Sequence, residues 1–234
     1  MAGEGLNITI MGSKKMQKLL SSIGISKKAL SAQSTEAFTT LVQTIKPAVF
    51  WEVGDTIGAY AWLVLEHSST CKAILFEANS DNYLDLLKTI HRKQLHRAEA
   101  HNIMVSPVSA GIVADINATA VTVGAMPRIA SSGRKTTLPI TVQHGAYAME
   151  RDAVDRLTLN ELLVREHVSP DIIKLDTQDA ERLVIEGARQ VLEACSPLLI
   201  VKTATPKLVH YLEGLSYRSF PFDQDNTIFI SVYF

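Results

Sequence analysis

Three short segments of the 234-residue chain carry residue types that could do chemistry together. The first is Glu52-Val53-Gly54-Asp55-Thr56-Ile57-Gly58, an ExGxxxG pattern. Glycine lets a backbone turn sharply and lets a ligand approach the main chain. A helix starting after Gly58 would present free N–H groups to that ligand. The second segment is Glu77-Ala78, about 20 residues past Gly58, the spacing at which an acidic residue meets a ribose. A carboxylate accepts hydrogen bonds from both hydroxyls of a cis-diol. The third is Asp176, followed by Thr177-Gln178-Asp179-Ala180-Glu181. Asp176 is placed to act as base or orienter for a substrate hydroxyl. Asp179 and Glu181 read more simply as acidic residues at a helix N-terminus. Lys174 alternates with Ile173 and Leu175, so it either enters the same cleft or snorkels outward. His144, beside Gly145, is a further candidate base. None of the seven histidines shows a metal-ligand spacing, and no metal is expected.

The glycine pattern fits a nucleoside cofactor. A dinucleotide fingerprint uses GxGxxG to seat a pyrophosphate, and the central glycine is missing here. Asp55 would also set a carboxylate beside that pyrophosphate. S-adenosylmethionine (SAM) has no phosphate; its sulfonium and ammonium suit acidic neighbours. SAM is therefore the expected cofactor, and a nicotinamide-dependent oxidoreductase is the weaker alternative.

These residues need strands that end beside one another. Short apolar runs at 48–53, 72–76, 98–105, 171–175 and 198–201 read as strands. Residues 34–45, 58–66, 81–92, 158–166 and 180–193 read as helices, with Thr158 and Glu161 forming a capping box. Residues 112–123 and 138–143 read as further strands, and 227–233 as one arm of a C-terminal hairpin. Residues 124–138 form the longest loop-like stretch. In the N-terminal region, 6–11 could be a strand and 16–23 a helix. Such alternation implies an α/β fold with a parallel sheet and right-handed crossovers. Its ligand site lies at the carboxyl ends of the strands.

Bulk composition agrees. The chain is 47% hydrophobic and 20% charged, enough for a core without disulfide or metal staples. Its net charge of −1 gives no case for nucleic acid or an anionic membrane. The basic run at 91–97 reads as a solvated helix end. No apolar run approaches the length of a membrane span. Two distant cysteines, Cys71 and Cys195, and no recognisable signal peptide suit a cytoplasmic protein. We expect one domain over 1–234, with a helical extension at 1–45 and a Rossmann-like core at 46–234.

The motifs together resemble the FkbM family of methyltransferases. Val49 to Gly58 resembles the family's SAM-binding first motif, and Phe76-Glu77-Ala78-Asn79 its F-E-P-N element. Thr158-Leu159-Asn160-Glu161-Leu162-Leu163 resembles its T-L-D-x-L-L helix. Asp171-Ile172-Ile173-Lys174-Leu175-Asp176, with Ala180-Glu181 and Glu186-Gly187-Ala188, resembles D-x-I-K-I-D-V-E-G-A-E and the G-A that follows. The resemblance spans roughly 45–205. It implies a class I methyltransferase fold with a mostly parallel sheet flanked by helices and an antiparallel C-terminal hairpin. It further implies SAM-dependent methylation of a hydroxyl on a sugar or other small-molecule or glycan acceptor. Glu52, Gly54, Asp55, Thr56, Gly58, Glu77 and Ala78 would serve SAM, with Ser106 near the adenine. Asp176 and Lys174 would stand on the catalytic side. Departures are Gln178-Asp179 in place of the family's E-G, Val201-Lys202 where a strand often ends in Glu, and Asp55-Thr56 in place of A-N. They bear on catalysis more than on cofactor binding, and leave a non-catalytic Rossmann-like interaction protein as the second reading.

Overall fold

The computed structural model describes residues 34–54, 57–108, 111–114, 153–177 and 180–234. The readings at 6–11, 16–23 and 138–143, His144, Asp55, Thr56 and Gln178-Asp179 lie outside them.

Among the described residues nine strands form one sheet: β1 (Val49–Val53), β2 (Lys72–Glu77), β3 (Ala98–Val105), β4 (Gly111–Ala114), β5 (Ala153–Leu157), β6 (Ile172–Leu175), β7 (Leu198–Lys202), β8 (Tyr217–Pro221) and β9 (Asn226–Ser231). Their spatial order is β4-β5-β3-β2-β1-β6-β7-β9-β8. The six strands from β5 to β7 run parallel. β4 is antiparallel at one edge, and β9 and β8 form an antiparallel hairpin at the other. This is the Rossmann-like class I methyltransferase arrangement that the resemblance implies. β9, the last strand in the chain, is inserted between β7 and β8.

Helices cover both faces. α1 (Ser34–Ile45), α2 (Ala59–His67) and α3 (Ser80–Arg92) pack one core with Phe50, Leu75 and Ile172. α4 (Leu159–Glu166), α5 (Glu181–Glu186), α6 (Arg189–Cys195) and α7 (Pro206–Gly214) pack the other with Trp51, Phe76 and Ile173. The central strands are buried on both faces, so they read as continuous apolar runs rather than alternations. α1 is bound into its core: Phe38 meets Phe50 and Tyr60 edge-on at centroid separations of 6.0 and 4.8 Å.

Two details differ from the sequence reading. The single helix expected at 180–193 is two, α5 and α6, broken at Gly187-Ala188. A Cβ on Gly187 would stand 2.7 Å from Ser106 O, so the chain passes too close to the β3–β4 turn for any side chain. Arg97, grouped with a solvated basic run, instead donates to Leu65 O, Ser68 O and Cys71 O, each at 2.7 Å. It thereby satisfies carbonyls at and beyond the end of α2. α7, β5 and β8 went unread in the sequence. Among the described residues no helix is long and apolar enough to cross a membrane.

Candidate functional site

The strand order reverses at β1, which has β2 on one side and β6 on the other. The crevice of an open α/β sheet lies outside the carboxyl ends at such a switch point. Gly54 follows β1, Glu77 ends β2 and Asp176 follows β6, so the three sequence motifs converge there.

Gly54 and Gly58 adopt φ of +80° and +69°, a region that L side chains rarely enter. A Cβ on Gly54 would lie 2.6 Å from Asp176 O and 2.9 Å from Thr177 Cγ2. A Cβ on Gly58 would lie 2.6 Å from the Trp62 ring. Both glycines are therefore required by the chain's own close approach, before any ligand is considered. Gly54 N donates to Phe76 O and Asp176 N to Val53 O, both at 2.9 Å, tying the three strand ends together.

Glu52 is 1% exposed, and its carboxylate accepts from Tyr60 N at 3.2 Å and Ala61 N at 2.8 Å. These are N–H groups of the first turn of α2, which has no side-chain cap at Gly58. Glu52 thus supplies the missing cap and complements the helix dipole from below. Glu77 is buried, and its Oε1 accepts from Asn79 N at 2.7 Å. Asn79 in turn caps α3 through Asp81 N and Asn82 N. Asn102 Nδ2 donates to Glu77 O and Ala78 O, fixing the main chain of this turn.

Asp176 Oδ2 lies 3.0 Å from Lys202 Nζ and 3.9 Å from Lys174 Nζ. Lys174 neither enters the crevice nor snorkels out. It is 1% exposed, donates to Leu175 O at 3.0 Å and lies 5.1 Å over the Tyr60 ring. Glu52 and Lys174 are register partners on β1 and β6, so an acid and a base lie buried side by side under the α2 N-terminus. The Tyr60 hydroxyl accepts from Asn226 Nδ2 at 3.3 Å, joining α2 to the start of β9. Glu181 opens α5 and accepts from Thr177 N at 2.8 Å, in keeping with a helix-terminus role.

Ser106 is buried, but its hydroxyl is engaged. It accepts from Arg156 Nε at 2.9 Å and donates to Val108 O, and so shapes the turn after β3. Sequence reasoning missed Thr177, Tyr60 and Asn226 and read Lys202 only as a departure. The available signal was position: Lys202 ends the strand next to β6, two residues beyond the partner of Lys174. A groove of about 430 Å³ opens beside it at the ends of β7 and β9. Its lining includes Thr203, Val209, Ser219, Asp223, Asp225 and Asn226.

The chain matches the Methyltransferase FkbM domain over residues 52–219. No curated protein matches it. Among solved structures, methyltransferase FkbM from Methylobacillus flagellatus KT is similar at 12% identity and a TM-score of 0.52. That match covers 92% of this chain and 58% of the other, so the chain spans little more than half of that protein. A Staphylococcus aureus protein named for caffeoyl-CoA O-methylation is similar at 9% identity and a TM-score of 0.50, covering 92% of this chain and 90% of its own. Identities this low speak to the fold.

Proposed function

The chain belongs to the FkbM methyltransferase family, and from that premise we propose that it methylates a hydroxyl of a sugar or other small-molecule scaffold with SAM as donor. The observation that carries the reading is the close packing of Gly54 on Asp176 and Thr177 at the switch point, with Glu77 one strand away. The crevice suits this cofactor. Thr177 Oγ1 is buried beside Gly54 and has no hydrogen-bond partner among the described residues, a polar atom placed for a ligand. Glu77, held by Asn79 N–H, is positioned to accept from ribose hydroxyls. SAM would supply an electrophilic methyl group.

The protein's own part is alignment and charge. Gly54, Gly58 and Ala78 line the cofactor side, while Glu52 and Ser106 act indirectly, one through α2 and the other through the turn after β3. Asp55 and Thr56 remain proposed cofactor contacts, and His144 a proposed alternative base. Asp176 orients the acceptor hydroxyl and receives its proton. Lys202 and Lys174 hold the Asp176 carboxylate, so Lys174 serves as a positioning residue. The groove that begins at Thr203, next to Lys202 in the chain, receives the acceptor, which close approach and alignment then make reactive. The two unpaired cysteines suit a reducing compartment, in keeping with a cytoplasmic location.

One observation favours the second reading, a non-catalytic binding protein: Asp176 is already engaged by Lys202 at 3.0 Å. Calorimetric titration with S-adenosylhomocysteine, with NAD as control, tests both. Micromolar binding of the first alone, weakened at least tenfold by Glu77→Ala, is expected. Binding of neither overturns the cofactor assignment. Binding without methylation of any hydroxyl acceptor in a broad panel supports the non-catalytic reading.

A further inference from the structure

Away from the crevice, Glu99 and His101 of β3 meet Glu166 at the end of α4, and one ligand atom from each lies within 4.8 Å of the other two. We propose that these three residues bind a divalent transition-metal ion of the zinc type.

Three observations carry this beyond a coincidence of charges. First, His101 Nε2 is closed to solvent and makes no hydrogen bond among the described residues. A buried imidazole nitrogen is normally paired. Its ring is stacked on Phe76 at 5.7 Å and 20°, which fixes the direction of that nitrogen. Second, the Glu166 side chain is 8% exposed, and among the described residues only two basic side chains form an ion-pair contact with it. His101 Nε2 lies at 3.5 Å and Arg165 Nε at 3.9 Å, both too far for a good hydrogen bond. Two atoms bound tetrahedrally to one zinc at about 2.1 Å stand about 3.4 Å apart. The 3.5 Å gap between His101 and Glu166 matches that ligand–ligand spacing. Third, Glu166 is the last residue of α4, where the helix dipole disfavours a carboxylate and favours a cation.

Glu99 completes the set from the exposed side. Its Oε2 is held by Lys72 at 2.9 Å, and Lys72 is the cation that a metal would displace. Glu99 and His101 are two apart on one strand, hence on one face, so the third ligand needs only a side-chain rotation. Two carboxylates and one imidazole, with a water in the fourth position, suit zinc or its neighbours rather than calcium. The ion would pin the end of α4 to β3.

The test is titration of the purified, metal-free protein with Zn²⁺ by calorimetry, alongside His101→Gln, Glu166→Gln and Lys72→Met. We expect one ion bound with micromolar or tighter affinity and a raised Tm. His101→Gln and Glu166→Gln should each weaken binding at least tenfold, and Lys72→Met should leave it equal or tighter. Affinity should fall on acidification, since imidazole binds the ion only when neutral. Should Glu166→Gln fail to fold by circular dichroism, His101→Gln alone decides. Absence of binding, or binding unchanged in His101→Gln, overturns the proposal. Unchanged binding would place the ion elsewhere; Cys71 is a poor alternative, because burial pushes its thiol up to about 12.

Discussion

The charges at the strand ends and those between β3 and α4 are kept in opposite ways. At the strand ends, the Glu52 carboxylate caps two N–H groups, Lys174 donates to a carbonyl, and Asp176 is held by Lys202 at 3.0 Å. Between β3 and α4, Glu166 and His101 face each other at 3.5 Å without a hydrogen bond. Glu52 and Lys174 are scaffolding whose partners lie in the protein itself, and Lys202 holds Asp176 in place for the role proposed above. The second set is under-satisfied, as groups are when their partner is not part of the chain. Between these two clusters, the presence or absence of internal partners separates groups that build the fold from groups open to a ligand.

Stability measurements can break this comparison. The largest effect is expected from Gly54→Ala, which combines a φ of +80° with a contact of 2.6 Å to Asp176 O. We expect a loss of about 3 kcal/mol, seen as a fall of about 10 °C in Tm. Replacement of Glu52 by Gln should cost about 2 kcal/mol in urea unfolding, because the charged acceptor of the Tyr60 and Ala61 N–H groups is lost. A variant as stable as the wild type would remove the capping role of Glu52. At the N-terminus of α4, Thr158→Ala breaks a capping box with both of its hydrogen bonds formed, for about 1 kcal/mol. At the other end of the same helix, Glu166→Gln without metal should change stability by no more than about 0.5 kcal/mol. There is no hydrogen bond to lose, and an unfavourable charge at the helix C-terminus is relieved. A large loss in that variant would show that the cluster is scaffolding after all.

What could be read in the sequence was whatever neighbours in the chain determine. The turn at Gly54, the capping box at Thr158-Glu161 and the run of Ile172, Ile173 and Leu175 are local patterns, and the elements stand where those patterns put them. The break at Gly187 was not legible, because its cause is Ser106 and Pro107, more than seventy residues away and brought near only by folding. Glu52 was legible as an acid at a strand end, but its engagement with Tyr60 N and Ala61 N depends on how α2 sits over β1. Lys174 shows the same limit: alternation placed it on a face, and Tyr60 decides that the face is closed. His101 and Glu166 belong to separate elements, so no spacing along the chain could have joined them.

The position of β9 bears on how the protein is made. β9 is the last element of the chain, yet it lies inside the sheet between β7 and β8. During synthesis, β8 is complete before the strand that anchors it has emerged. Until Asn226–Ser231 follows, β7 presents an open edge, and the core that holds Leu199, Val201 and Tyr217 lacks Phe229. An unpaired apolar edge is a template for association. A chain in which Asn226–Ser231 has yet to dock would therefore be sticky rather than merely less stable.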